Sequence, residues 1–505
     1  NYNTAVGASA LVVNTTGAQN TAVGSFSLQS NTTGSPNTAL GYDALGDNTT
    51  AAGNTAVGWS SLSKTTTGYA NTAVGQSSLT ANTTGFSNVA VGHNTLDIST
   101  TGSANTAVGK SALSSATTAS NNTAVGTNSL FANTTGYEQT AVGYRALTTN
   151  STGFRNTAFG ADSLLLNTTG FDNAAFGKSA MQDNTVGEAN TGIGNYALAN
   201  NISADHHTAV GYQALFTNTT GSENVGIGKD SLLLNTTGSK NTAVGTDALN
   251  ANTTASFNTA VGSDALGANL TGASNTAVGK NALESNTTAS SGTAMGKDAL
   301  GSNISGSNNT AIGHDCMTSN TTGANNTAVG GEALFTNTTG ANNTVVGYAS
   351  NYSGTGTNNA LFGYNTQPSA GGVSNEITLG NSSNDNLRCN DTSISSLSDA
   401  RDKTNVQDIP LGLDFVNQMR PVSFDWDRRD GSYKGKKDFG FIAQELKEIQ
   451  DNTAYADHMR LVRDNNPEKL EADPMKTYPV LVKAIQELSA KVEELQTEIK
   501  TLKGN

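Results

Sequence analysis

The stretch Asn3-Thr4-Ala5-Val6-Gly7 returns seventeen residues later as Asn20-Thr21-Ala22-Val23-Gly24, and it recurs through most of the 505-residue chain. Its glycine falls at 21 successive positions with that one spacing, from Gly7 to Gly347. A unit this short cannot enclose a core of its own, so its strict repetition predicts one coil of a solenoid stacked on its neighbours. Disorder gives no reason to hold an apolar residue in strict phase, and we therefore set it aside.

Composition divides the chain near residue 397. Residues 1–397 hold 10 Lys/Arg and 20 Asp/Glu, whereas residues 398–505 hold 17 and 20. We predict a shaft of repeats over 1–350, degenerate repeats and a linker over 351–397, and a small domain over 398–505. The net charge is −13 and basic residues do not cluster in the repeat, which argues against nucleic acid as a partner. We also expect no membrane insertion, since no apolar run approaches the ~18 residues of a span.

Two positions of the unit are apolar in coil after coil. The residue before the glycine is Val6 in the first coil, and the fourth residue after it is Leu11. Two such rows suggest two strands per coil, each contributing one large side chain to a narrow core. Side chains alternate along a strand, so Thr and Val share one face of Thr-Ala-Val-Gly, and Ala and Gly share the other. We predict that Val faces the coil interior and that the Ala/Gly face lets another chain approach closely.

Asparagine recurs at two further positions, the opening residue of the unit (Asn3) and the seventh residue after the glycine (Asn14). The second position is Asn in 17 of 21 units and begins the turn Asn-Thr-Thr-Gly, which suits residues that tolerate positive φ. We predict that both rows form ladders of side-chain hydrogen bonds, with Gln139, His207 and Gly292 as exceptions in the first. The histidines show no metal-ligand spacing, so we expect surface positions, no metal and no cofactor; they are His93, His206, His207, His314 and His458.

The repeat resembles a known family. Asn-Thr-Ala-Val-Gly followed by Ala-Leu, as at Ala44-Leu45 and Ala112-Leu113, is similar to the head repeats of YadA-like trimeric adhesins. The resemblance covers about residues 1–350 and implies a left-handed parallel β-roll made by three chains side by side. Oligomerisation also agrees with the small apolar area that each coil buries against the entropy of ordering seventeen residues.

From residue 398 the sequence changes character. Four blocks occur in order: SDARDKTNV at 398–406, MRPVSFDW at 419–426, DFGFIAQEL at 438–446 and YPVL at 478–481. Together they resemble the peptidase S74 family, the intramolecular chaperone of phage tail fibres and endosialidases. The resemblance implies a small α+β domain that trimerises, aligns three chains and then cuts itself off in cis.

The same resemblance implies a Ser–Lys dyad. Ser398 would be the nucleophile and Lys403 the general base, with Asp399 and Asn405 orienting the site or holding the oxyanion. The scissile bond would adjoin Ser398; we favour Leu397–Ser398, and the bond on the other side of Ser398 is the alternative. A lysine acts as a base at neutral pH only where burial or nearby positive charge lowers its pKa, and Arg401 is a candidate for that charge. No external substrate is expected.

The end of the chain carries a heptad pattern over 480–503. Apolar residues spaced alternately by four and three, with Glu and Lys around them, predict a coiled coil of about three heptads. The alternative is a helix packed on its own domain. The predicted seam consists of Leu481, Ile485, Leu488, Val492, Leu495, Ile499 and Leu502.

These observations predict a mostly β protein: a trimeric, left-handed parallel β-solenoid shaft followed by the chaperone domain and its coiled-coil helix. We expect a phage tail fibre for host attachment, made in the host cytoplasm, carried on the virion and extracellular after release. Its partners would be two further copies of the chain, a host receptor or glycan, and other tail proteins through a region that precedes this sequence. One alternative is a bacterial trimeric adhesin, which needs a membrane anchor. A minor one is an ice-binding solenoid, although threonines such as Thr15-Thr16 are adjacent in a turn.

Overall fold

The computed structural model describes residues 2–351, 355–384, 387–388, 398–429, 434–464, 468 and 470–504. The chain forms two compact units, residues 1–344 and residues 345–505. In the first unit every coil contributes one strand of three residues, most often Thr-Ala-Val. The strands of the repeat region are β1 Thr4–Val6, β2 Thr21–Val23, β3 Thr38–Leu40, β4 Thr55–Val57, β5 Thr72–Val74, β6 Val89–Val91, β7 Thr106–Val108, β8 Thr123–Val125, β9 Thr140–Val142, β10 Thr157–Phe159, β11 Ala174–Phe176, β12 Thr191–Ile193, β13 Thr208–Val210, β14 Val225–Ile227, β15 Thr242–Val244, β16 Thr259–Val261, β17 Thr276–Val278, β18 Thr293–Met295, β19 Thr310–Ile312, β20 Thr327–Val329, β21 Thr344–Val346, β22 Ala360–Phe362 and β23 Ile377–Leu379.

Each strand from β1 to β19 pairs in parallel with the strand of the next coil, one repeat further along. Thr4 lies opposite Thr21, and the same register holds where Thr310 lies opposite Thr327. The predicted parallel β-solenoid is therefore confirmed. The prediction of two strands per coil is wrong, because the leucine row lies in a turn with left-handed backbone, as at Leu28 (φ 48°). Stacking stabilises that conformation, since the N–H of Leu28 donates to the carbonyl of Ala44 in the next coil at 3.0 Å.

The prediction that Val faces the interior is also wrong. The middle residue of the strand is fully buried, as at Ala22, whereas the residue before the glycine points outward, with Leu40 48% and Phe159 47% exposed. In most coils the interior holds only a small residue opposite the leucine row, although Val345 is fully buried at the same strand position. A Cβ built on Gly192, which replaces this alanine, would lie 2.8 Å from Cγ of Met181 in the preceding coil. Leucine therefore fills most of the core, and in most coils a small Ala or Gly lies beside it.

Both asparagine ladders are confirmed. In the turn, Asn31 Nδ2 donates to Asn14 Oδ1 at 2.8 Å and to the carbonyl of Gly34 at 3.1 Å. In the opening row, Asn37 N–H donates to Asn20 Oδ1 at 2.9 Å. These side chains are almost fully buried, so each ladder supplies partners for polar groups that water cannot reach.

One histidine departs from its predicted surface position. His207 replaces an asparagine of the opening row and is 1% exposed. Its Nδ1 accepts the N–H of Asn224 at 3.2 Å, and Nε2 lies 3.0 Å from Asn218 Nδ2. Burial lowers the pKa of His207 to about 4. The physical reason for its burial is that imidazole can replace an amide as an acceptor in the ladder.

The glycine of the repeat is required by the distance between coils. Gly24 has φ 132°, which side chains rarely adopt, and a Cβ there would lie 2.3 Å from the carbonyl oxygen of Gly41. Successive coils thus approach each other closely along this row.

In the second unit, β22 and β23 pair in parallel with the same spacing, Ala360 opposite Ile377. A small α+β region follows, as predicted. Its elements are α1 Leu413–Val416, β24 Val422–Asp425, β25 Lys437–Gly440, α2 Ala443–Asp451, α3 Ala456–Met459, β26 Val462–Arg463, β27 Glu471–Ala472 and α4 Tyr478–Lys503, with 3-10 turns at Ala400–Asp402 and Pro474–Thr477. Strands β24 and β25 are antiparallel, as are β26 and β27.

This region has its own hydrophobic core, made of Phe415, Leu446, Met459, Leu461, Val462 and Val480. Helix α4 joins that core only through its first turns, where Val480 and Ala484 are buried. The predicted seam residues after Leu481 are exposed, from 44% at Val492 to 77% at Leu502. The N-terminal end of α4 thus packs on its own domain, and most of its apolar seam does not.

Candidate active site

A short capped turn begins the C-terminal region. Asp399 accepts the N–H of Arg401 at 2.9 Å and so caps the 3-10 turn Ala400–Asp402. The turn reverses the chain within five residues, because an Asp side chain readily bonds the backbone two residues on. Lys403 leaves the turn with extended backbone and its side chain reaches back toward Ser398.

The turn brings Ser398 and Lys403 into direct contact. Lys403 Nζ lies 2.7 Å from Ser398 Oγ and 3.2 Å from the carbonyl oxygen of Ser398. A hydroxyl and an amine at this distance are within reach for proton transfer. The two residues that the sequence pairs as nucleophile and base are thus brought together by local structure alone.

Of the three predicted supporting residues, Asp399 and Arg401 bind each other, and Asn405 follows the turn. Arg401 binds the Asp399 carboxylate through two hydrogen bonds, at 3.1 Å from Nε and 2.6 Å from Nη2, and holds the pKa of Asp399 below its usual value. Asn405 lies beyond the turn with φ 55°. Leu397 lies outside the described residues, so the bond that is cut stays a prediction.

Ser398 and Lys403 are both exposed in the single chain. An amine becomes a base at neutral pH where it loses water or gains positive neighbours. The single chain therefore aligns the dyad but leaves it solvated, and any burial has to come from outside the segment 398–405.

Two contacts that the sequence did not predict hold the region together. The Glu487 carboxylate on α4 accepts the N–H of Leu413 at 2.7 Å and so caps α1. Gln450 Oε1 accepts the N–H groups of Leu461 (2.6 Å) and Val462 (3.2 Å). The sequence predicts neither contact, because its pattern places Glu487 among the solvated charges beside the seam and Gln450 on the polar face of α2.

An ion pair joins two of the sequence blocks. Arg420, from the block at 419–426, binds Glu445, from the block at 438–446, and lowers the pKa of that carboxyl group. The blocks thus contain residues that position each other, which explains why they occur together.

Among the described residues, one group of three side chains of the types that bind metal ions lies close together. Ligand atoms of Asp298, His314 and Asp315 all lie within 4.8 Å of one another. Spacing along the sequence misses this group because two successive coils form it. Lys297 Nζ already lies 2.6 Å from Asp298, so a cation would compete with an ammonium group there. In the part of the chain that the structure describes, no helix has the length and apolarity that a membrane crossing requires.

Comparison with known proteins agrees with the resemblance of the C-terminal region. Residues 398–457 match the family described as chaperone of endosialidase, peptidase S74. The match begins at Ser398 and includes Lys403, and a domain of this family indicates self-cleaving activity. No curated protein and no solved structure matches the chain. A parallel β-solenoid of seventeen-residue coils, followed by a region that matches the chaperone of endosialidase family, fits a tail fibre or tailspike-type protein.

Proposed function

We propose that the chain forms a homotrimeric phage tail fibre for host attachment, in which the C-terminal region aligns three chains and is then released by cleavage beside Ser398. The observation that carries this proposal is the 2.7 Å contact between Ser398 Oγ and Lys403 Nζ at the start of the matched region. The shaft would remain on the virion, bound to other tail proteins.

The cleavage step follows from these two side chains. Neutral Lys403 takes the hydroxyl proton of Ser398, whose Oγ attacks the carbonyl carbon of Leu397. The C–N bond breaks, the nitrogen of Ser398 receives the proton, and an ester joins Leu397 to Oγ. Water then hydrolyses the ester, which leaves a carboxylate on Leu397 and a free amine on Ser398. The event occurs once in each chain and in cis.

Trimer formation would supply the desolvation that the single chain lacks. A partner chain that covers Lys403 would remove water from its amino group and so favour the neutral amine that a general base requires. Cleavage would then follow assembly, and each chain would keep its chaperone until the three chains are in register.

Two unpartnered apolar surfaces support the trimer. The first is the seam of α4, where Ile485 is 66% and Leu488 is 50% exposed. The second is the outward row of residues before the repeat glycine, such as Leu40, Phe159 and Met295. Soluble monomers rarely expose contiguous apolar areas larger than a few hundred Å². In this proposal the outward Val row packs against the other chains, which is the role that we predicted for the Ala/Gly face.

Denaturing mass spectrometry tests the cleavage. The intact chain has a mass of 51.6 kDa. We expect the wild type to split beside Ser398, whereas Ser398→Ala and Lys403→Met remain intact. Ser423→Ala is the matched control, because Ser423 is an exposed serine on β24 of the same region. A wild type that stays at full mass, or a Ser398→Ala chain that is still cut there, contradicts the proposal.

A further inference from the structure

Two short ladders of aromatic rings interrupt one row of the solenoid, eleven residues after the repeat glycine. Tyr137, Phe154 and Phe171 come from three successive coils and stack with centroids 5.1 and 4.9 Å apart and ring planes within 6°. Tyr69 and Phe86 form a second, shorter stack in the same row, at 5.1 Å. We call Tyr137, Phe154 and Phe171 the aromatic ladder.

Elsewhere this row has a structural task that a ring cannot perform. Ser103 Oγ accepts the N–H of Phe86 from the preceding coil at 3.1 Å, and Ser120 Oγ accepts that of Ser103 at the same distance. The pattern returns further along, where Ser239 accepts from Ser222 and Ser256 accepts from Ser239, both at 3.0 Å. A phenyl ring has no oxygen to accept such a bond. Alanines of the same row, such as Ala52 and Ala273, also lack an accepting oxygen, so the distinctive feature of the aromatic ladder is its run of three stacked rings.

Charged groups lie directly beside the rings. Arg155 Cζ is 4.9 Å from the centre of the Phe154 ring. Its guanidinium binds Asp172 through two bonds, at 2.8 and 2.9 Å, and both side chains are about half exposed. Tyr137 is 43% exposed. The surface thus combines an apolar ridge with a fixed set of hydrogen-bond donors and acceptors in water.

The size of the surface decides which occupant it suits. The ladder is about 10 Å long between its outer rings and one side chain wide. Three partly exposed rings offer at most a few hundred Å², whereas a stable protein interface needs roughly 800 Å² from each partner. A short oligosaccharide needs less, because its C–H faces pack on aromatic rings while its hydroxyls bond carboxylate and guanidinium groups.

We propose that the aromatic ladder, with Arg155 and Asp172, binds a cell-surface glycan. This rests on the proposed function in host attachment and names the class of receptor and the residues that bind it. Arg155 and Asp172 would select among sugars by their hydroxyl pattern, and the rings would supply most of the affinity.

The test compares three full chains on an array of purified bacterial lipopolysaccharides and capsular oligosaccharides. The ladder variant carries Tyr137→Ser, Phe154→Ser and Phe171→Ser, because other coils, such as those of Ser103 and Ser239, carry serine in this row and form the same fold. The control carries Tyr144→Ser, which removes a 52% exposed ring from another row. We expect the wild type and the control to bind at least one glycan class, and the ladder variant to lose at least tenfold in binding.

Equal binding by the ladder variant and the wild type overturns the inference, and so does the absence of binding by the wild type to every glycan on the array. The light-scattering mass of the same samples tests whether another copy of the chain, rather than a glycan, lies on the aromatic ladder. If the ladder variant loses its trimer, the ladder is a contact between copies of the chain, which also overturns the glycan site. A wild type that is cleaved and trimeric but binds no glycan leaves the proposed assembly standing, so the two failures are distinguishable.

Discussion

At the scale of single residues, the solenoid is held by polar groups that stack on copies of themselves. The opening Asn row keeps this pattern of hydrogen bonds even where histidine replaces asparagine. Asn190 Oδ1 accepts the N–H of His207 at 2.9 Å, and His207 Nδ1 accepts the N–H of Asn224. His207 continues the ladder only while Nδ1 is unprotonated, because a proton there would face the N–H of Asn224. Asp205 and His206 are the other titratable groups that act on it.

The histidine at position 207, where most coils have asparagine, makes the solenoid sensitive to acid. Because burial lowers the pKa of His207 from 6.5 to about 4, the unfolded chain binds a proton first as the pH falls. The contribution of His207 to stability is complete above about pH 6.5 and decreases by about 3 kcal/mol down to pH 4. His207→Asn should remove this decrease in thermal unfolding followed between pH 7 and pH 4, and the exposed-residue control His206→Asn should keep it. The same acid loss in wild type and His207→Asn would contradict this explanation.

Sequence reasoning pairs residues most readily where local structure joins them. Ser398 and Lys403 are five positions apart, and the Asp399-capped turn between them is enough to join them. His207 was misplaced because its environment depends on Asn218 and Asn224, in the turn of its own coil and in the next coil. Glu487 and Leu413 are 74 positions apart, and periodicity carries no information about such a pair.

At the scale of elements, the seventeen-residue period fixes the strand register but not which face of the strand is inside. Both faces of Thr-Ala-Val are compatible with a core, since Ala and Val are each apolar. The choice depends on the width of the coil interior, where the side chains of the leucine row lie against the middle residue of the strand. That width is a property of the stacked structure, so the sequence led to the wrong face.

The corrected orientation of the strand makes a direct prediction. Ala124 in β8 is fully buried, whereas Val125 beside it is only half-buried. Ala124→Leu should lower the free energy of unfolding by about 1–3 kcal/mol, because the extra carbons have no space. Val125→Thr, the matched change on the outer face, should cost less. Thermal unfolding followed by circular dichroism measures both changes in stability. A larger loss of stability for Val125→Thr would contradict the corrected orientation and favour the original prediction that Val faces the interior.

Helix α4 is the element on which assembly should depend. We expect Leu488→Asp with Leu495→Asp to abolish the trimer and to slow the cleavage beside Ser398, because charges in the seam cannot be buried between helices. Ala490→Asp with Thr497→Asp is the control, since both residues are exposed on the same helix outside the seam. Light scattering gives the mass and gel electrophoresis the cleaved fraction. A trimer that survives the seam variant would show that α4 is not the assembly element.

At the scale of the whole molecule, the repeat creates a problem of register that the repeat itself does not solve. Coils related by seventeen residues are nearly identical, so three chains can pair in many wrong alignments. A region outside the repeat has to align them first. The match of residues 398–457 to the chaperone of endosialidase family, together with the exposed seam of α4, gives the C-terminal region that role in our proposal.

The most direct test of this account is the light-scattering mass of the shaft, residues 1–397, made with and without the region that follows it. We predict three times the mass of one shaft when the full chain is expressed and allowed to cleave. The shaft expressed without residues 398–505 should be monomeric or aggregated instead. The same trimeric mass from both preparations, or a monomeric shaft after cleavage of the full chain, would contradict the claim that this protein is a trimer assembled by its own removable chaperone.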